Sequence, residues 1–97
     1  MGIYIKIIKY KEANPNIYYS ALLNNILYYI ELNNDKKIIA FYNDNEFCEE
    51  FAIFDVNKKQ FTYYDPKFES LINMRVISRA TEAIEKNYFP NDISWCS

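Results

Sequence analysis

The chain contains no histidine, and its only glycine is Gly2. Without histidine it lacks the commonest general base and metal ligand, and without further glycines it cannot form a phosphate-cradling loop of the Walker or Rossmann kind. The two cysteines, Cys48 and Cys96, form no CxxC pair, so a zinc site is not expected. Secreted domains of this size that depend on disulfides usually carry more cysteines, which favours a reduced pair in the cytosol. No apolar run is long enough for a membrane-spanning helix, because lysine, glutamate or asparagine interrupts each one. The opening "MGIYIKIIKYK" carries its lysines within the apolar run, so it reads as a strand, not a secretory signal. Adjacent acids such as Glu49 and Glu50 remain, but neighbours on a strand point to opposite faces. The expectation is a protein without enzymatic activity, cofactor or metal.

What is present is a chain of 97 residues, 51% hydrophobic and 25% charged, enough for one domain over 1–97 with a modest core. Asparagine tolerates left-handed backbone angles and bonds its own turns. The clusters at 14–16, 24–25, 33–35, 43–45 and 57–59 therefore mark turns about every ten residues. Between them lie short runs of Ile, Tyr and Phe, the pattern of an antiparallel meander.

A two-residue turn at Asn24 and Asn25 sets the register. Leu23 then faces Ile26, Ala21 faces Tyr28, Tyr19 faces Ile30 and Ile17 faces Leu32, all on one core face that Ile39 and Phe41 extend. Tyr18, Ser20, Leu22, Leu27, Tyr29, Glu31, Ile38, Ala40 and Tyr42 share the second face, too polar for a sealed interior and too aromatic for plain solvent. A rival reading makes 15–24 a short helix, with Asn14 capping and Pro15 in its first turn.

The last third changes period. Phe68, Leu71, Ile72, Val76, Ala80, Ala83 and Ile84 follow helical spacing. Asp65 as cap and Pro66 at the first position give a start, and the helix should end near Asn87. The expected fold is α+β: an antiparallel β meander of five to six strands over about 3–65, one long C-terminal helix over about 66–87 on one face, and a short tail that tucks Trp95 against the packing.

Net charge is −2, yet Asp44, Glu46, Glu49, Glu50 and Asp55 follow one another with no lysine or arginine between Lys37 and Lys58. The bland reading is a solvated loop and edge strand. The functional reading is a docking surface for a basic partner, with Phe47, Phe51, Tyr63 and Tyr64 as neighbouring apolar anchors. The second face offers another surface through Tyr18, Leu22, Leu27, Tyr29, Ile38 and Tyr42, for a second copy or a partner. Dispersed lysines and a negative net charge argue against nucleic acid.

In its general character, exemplified by "FYNDNEFCEEFAIFDV", this short, acidic-leaning, Asn/Ile/Lys/Tyr-rich chain resembles the immunity proteins encoded beside bacterial toxins, such as those of contact-dependent growth inhibition systems. The resemblance implies a cytoplasmic inhibitor that binds a basic toxin, often a nuclease, and blocks its active site or substrate channel. It carries over no individual residue. A phage-encoded inhibitor of bacterial defence and a small homodimeric structural protein are the alternatives.

Overall fold

A computed structural model describes residues 4–96. The expected strand start at Ile3 and the side chain of Cys96 fall outside the described residues. Six strands run in sequence as a meander: β1 (Tyr4–Ala13), β2 (Asn16–Leu23), β3 (Ile26–Asn33), β4 (Ile38–Tyr42), β5 (Glu50–Asp55) and β6 (Gln60–Tyr64). A 3-10 helix (Pro66–Leu71) and helix α1 (Met74–Lys86) follow, and a two-residue strand β7 (Trp95–Cys96) closes the sheet in the order β6-β5-β4-β3-β2-β1-β7. The domain is α+β, with the helix packed on one sheet face.

The hairpin register is as the sequence requires, with Leu23 opposite Ile26, Ala21 opposite Tyr28, Tyr19 opposite Ile30 and Ile17 opposite Leu32. Asn24 and Asn25 adopt φ of 51° and 65°, the left-handed pair that a two-residue turn needs and that this glycine-poor chain assigns to asparagine. Residues 16–23 are therefore strand, and the alternative helix is excluded. Ile26 departs from the core assignment at 47% exposure. It lies at the hairpin tip, beyond Tyr29, where pairing of β3 with β4 begins.

The core lies between α1 and the face carrying Ile17, Tyr19, Ile30, Leu32, Ile39 and Phe41. From the helix side Val76, Ile77, Ala80, Ala83 and Ile84 are buried against it. Asp65 accepts from the Lys67 amide and Pro66 follows it, so the start sits where expected. The single helix over 66–87, however, is broken. Ile72 is extended at φ −85° and ψ 112°, and Asn73, whose side chain accepts from the Arg75 amide, caps α1 separately. A cap at Asn73 satisfies an orphan amide and lets the chain change direction while Phe68 and Ile72 still pack on the core. Asn87 ends α1 in the left-handed conformation, φ 51°.

The tail does more than place Trp95. The Lys9 amide donates to Asn91 O (2.7 Å), the Ile93 amide to Ile7 O (2.9 Å) and the Ile7 amide to Ser94 Oγ (2.9 Å). The outer edge of β1 is thus covered by the chain itself, a standard defence of an exposed strand. Trp95 sits half-buried with the Arg79 guanidinium 5.0 Å from its ring centre.

Candidate functional site

The candidate surface is the sheet face that carries no helix, together with the β4–β5 loop that folds over it. At the loop end of this face Tyr18, Tyr29 and Tyr42 project from β2, β3 and β4, and Tyr29 lies directly opposite Tyr42. Tyr10, at an irregularity in β1 where the register shifts between Lys9 and Lys11, joins them. Phe47 is held at φ 54° and enters this ring of tyrosines. Its ring centre is 4.6 Å from Tyr18, 5.1 Å from Tyr42, 5.8 Å from Tyr29 and 6.1 Å from Tyr10. The ammonium of Lys11 lies 4.8 Å from the Tyr18 ring centre and 5.6 Å from that of Phe47. The contacts with Tyr18, Tyr29 and Tyr42 are edge-to-face, that with Tyr10 is tilted, and Lys11 adds a cation–π geometry, favourable beyond the area covered.

The loop therefore acts as a flap, and it changes the expected inventory. Phe47 is not a free anchor for a partner, because its ring is occupied by the chain's own tyrosines. Phe51 is 3% exposed and stacked on Phe68 at 4.8 Å, so it belongs to the core. On the second face Tyr18, Tyr29 and Ile38 are half-buried and Tyr42 is buried. Of the six residues assigned to a second-face interface, Leu22 and Leu27 remain exposed, at 37% and 49%. They form a cross-strand pair beside the Asn24–Asn25 turn.

The acidic run is divided by the fold. Asp44, Glu46 and Glu49 are exposed on the loop, and the Asp44 carboxylate accepts from the Glu46 amide at 2.9 Å, fixing a local turn. Asp44, Glu49, Glu50, Tyr63 and Lys67 line one cleft of about 240 Å³ where the loop meets the end of β6. Asp55 is at the far end of β5, where it accepts from the Lys58 amide at 3.0 Å and serves the β5–β6 turn. Tyr64 is separated from Tyr63 by the sheet: it pairs opposite Ala52 on the helix side, while Tyr63 pairs opposite Ile53 on the open face. Cys48 is free and exposed on the same loop.

Glu31, assigned in the sequence only to the second face, has a larger part here. Its carboxylate accepts from the Tyr42 hydroxyl at 3.0 Å. Burial first, then the charge of Glu31 and that of Glu50, push the Tyr42 phenol well above its ordinary range, so the donor stays protonated at neutral pH. Tyr18 is raised for the same leading reason, desolvation, with Glu31 adding to it. Sequence periodicity could place Glu31 and Tyr42 on one face; their contact also required the β3–β4 register.

Among the described residues, no group of three or more His, Cys, Asp or Glu side chains is placed to hold a metal ion. No helix of the described residues is long and apolar enough to cross a membrane. Comparison with protein-family models, with curated proteins and with solved structures finds no match to this chain.

Proposed function

We propose that this chain is a non-enzymatic, cytoplasmic protein-binding inhibitor of the immunity-protein type, which neutralises a basic partner, most simply a toxin nuclease, by docking its acidic β4–β5 loop against it. The observation that carries the reading is the flap. Phe47 packs among tyrosines of β1 to β4 and so holds Asp44, Glu46 and Glu49 outward in a fixed arrangement. A loop ordered before binding loses less conformational entropy on association than a mobile one, and clustered carboxylates speed encounter with a cationic surface. The acidic end of the cleft, with Tyr63 beside Glu49 and Glu50, adds an amphipathic aromatic of the kind that interfaces favour.

The test uses tagged protein to recover partners at low salt, and compares the parent with the Glu46→Lys, Glu49→Lys, Glu50→Lys triple variant after far-UV spectra have shown both folded. A basic partner held by the parent, released by moderate salt and lost by the triple variant is the expected result. Equal retention by both proteins would remove the acidic-docking reading. A second occupant is favoured by one observation, the exposed Leu22 and Leu27 pair with exposed Tyr4 nearby on the same face. Light scattering at high concentration distinguishes a second copy seated there from a monomer.

A further inference from the structure

The open face contains a depression beside the flap, and the strand register explains it. Ala40 is at the centre of a three-by-three grid: Tyr29, Tyr42 and Glu50 on one row, Glu31, Ala40 and Ile53 on the next, Asn33, Ile38 and Asp55 on the third. Neighbours lie about 4.8 Å apart across strands and about 6.6 Å apart along them, so the methyl of Ala40 leaves a hollow that larger side chains surround. The hollow measures about 200 Å³, below the roughly 300 Å³ at which small-molecule pockets begin, and matches a single long side chain better than a cofactor.

Its chemistry is lopsided. The floor and two walls are apolar, from Ala40, Ile38 and Ile53, while Glu31 and Glu50 stand at opposite sides and are both half-buried. A carboxylate drawn partly out of water is favoured by a cationic or hydrogen-bonding partner. The ion pairs among the described residues are Lys9–Glu12, Arg79–Glu82 and Lys86–Glu82, none of which involves Glu31 or Glu50. Lys36 lines the turn end of the hollow but is itself exposed and makes no ion pair among the described residues. Tyr42 closes the loop end, with its hydroxyl already directed to Glu31. The hollow thus combines an apolar channel, an aromatic end wall and two carboxylates without an ion-pair partner among the described residues.

We infer that the Ala40 hollow receives one arginine side chain of a protein partner, its methylene stem lying on Ala40, Ile38 and Ile53 and its guanidinium between Glu31 and Glu50 against Tyr42. Arginine fits better than lysine because a planar guanidinium both stacks on an aromatic wall and reaches two carboxylates at once. The inference rests on the reading of the chain as a binder of basic proteins, and gives that reading a specific receiving point that shares only Glu50 with the acidic cleft.

The slot can be tested without the partner. N-acetyl-arginine amide is titrated into isotope-labelled protein, with N-acetyl-citrulline amide as the isosteric neutral control, and the amide and methyl signals are followed by NMR. The expected result is a saturable shift at Ala40, Ile38, Ile53 and Tyr42, with citrulline binding at least about tenfold more weakly, the difference a charge-assisted contact makes. Glu50→Gln should weaken the arginine probe several-fold, and Ala40→Leu should abolish the response while thermal unfolding and spectra show the variant folded. If Ala40→Leu does not fold, Glu31→Gln with Glu50→Gln replaces it and must suppress the response. Equal shifts from both probes, shifts spread over Asp44, Glu46 and Glu49 in place of the hollow, or an unchanged response in the variants would overturn the inference. Because Glu50 lines the hollow, the loop reading is tested separately with Glu46→Lys and Glu49→Lys alone, whose arginine-probe response should be that of the parent, so either reading can fail alone.

Discussion

Removing the flap's side chain is the most informative single change, because the structure fixes both its size and its sign. Phe47 makes its closest aromatic contacts with Tyr18 at 4.6 Å and Tyr42 at 5.1 Å. At about 0.5 to 1.5 kcal/mol for each such pair, Phe47→Ala should destabilise the domain by about 2 kcal/mol, a sizeable share of a small domain's total. Phe47 also sits at φ 54°, a conformation that costs any residue with a Cβ roughly 1 to 2 kcal/mol and glycine almost nothing. Phe47→Gly should therefore be more stable than Phe47→Ala by about 1 kcal/mol, the reverse of the order at an ordinary position. Urea unfolding of the three proteins measures both differences, and binding of a hydrophobic dye should rise in both variants as the tyrosine ring opens. A loss below about 0.5 kcal/mol in Phe47→Ala, or alanine more stable than glycine, would show that the loop does not rest on the sheet in this conformation.

Other changes address the core, the helix break and the buried phenols. Ile30→Ala and Phe41→Ala, both at fully buried positions facing the helix, should each cost about 2 to 5 kcal/mol in chemical denaturation. Asn73→Ala should cost about 1 kcal/mol by removing the cap on the Arg75 amide, whereas the same change at exposed Asn57 should be close to neutral. The Tyr28 hydroxyl is buried without a hydrogen-bond partner among the described residues, so Tyr28→Phe should be neutral or stabilising by about 1 kcal/mol at pH 7. Burial raises the phenols of Tyr19, Tyr28 and Tyr42 above the ordinary value of 10.0. The stability they contribute is then complete below pH 10 and is lost as pH climbs from there towards the folded values. Melting temperature should fall on the alkaline side, less steeply in Tyr28→Phe.

The features legible in the sequence were those that local chemistry decides. The pairing of β2 with β3 follows from two asparagines flanked by alternating apolar residues, since a shift of one residue would have put Tyr19, Ile30 and Leu32 into water. The end of α1 at Asn87 is equally local. The break at Asn73 was hidden because Phe68, Leu71, Ile72 and Val76 keep helical spacing across it, although an asparagine ahead of "MRVI" is itself a capping signal. The flap was illegible for a different reason. No sequence pattern marks a phenylalanine for a left-handed angle, and an aromatic inside an acidic run reads as a partner anchor when its intramolecular tyrosines lie on four different strands, 5 to 37 positions earlier. The same non-local origin applies to the Ala40 hollow, which exists only once three strands are aligned.

The two surfaces on the open face are mechanically connected, and this bears on how binding would be read. Tyr42 touches Phe47 on one side and donates to Glu31 on the other. The residue that seats the flap is therefore also the end wall of the hollow. Displacing Phe47 would free the Tyr42 ring edge, loosen the orientation of Glu31, and release Asp44, Glu46 and Glu49 from a fixed display in a single step. Charge reversal at Glu46 and Glu49, which do not line the hollow, by contrast alters the long-range field and leaves the hollow's geometry in place. The two perturbations should separate kinetically against a basic partner. Loss of the loop charges should act chiefly on the association rate and its salt dependence, and loss of Phe47 chiefly on the dissociation rate, since a loop and wall that must be reordered in the complex hold it less long. If Phe47→Ala slowed association as much as the Glu46→Lys, Glu49→Lys variant while leaving dissociation unchanged, the flap would matter only by presenting charge, and the hollow would have no part in holding the partner.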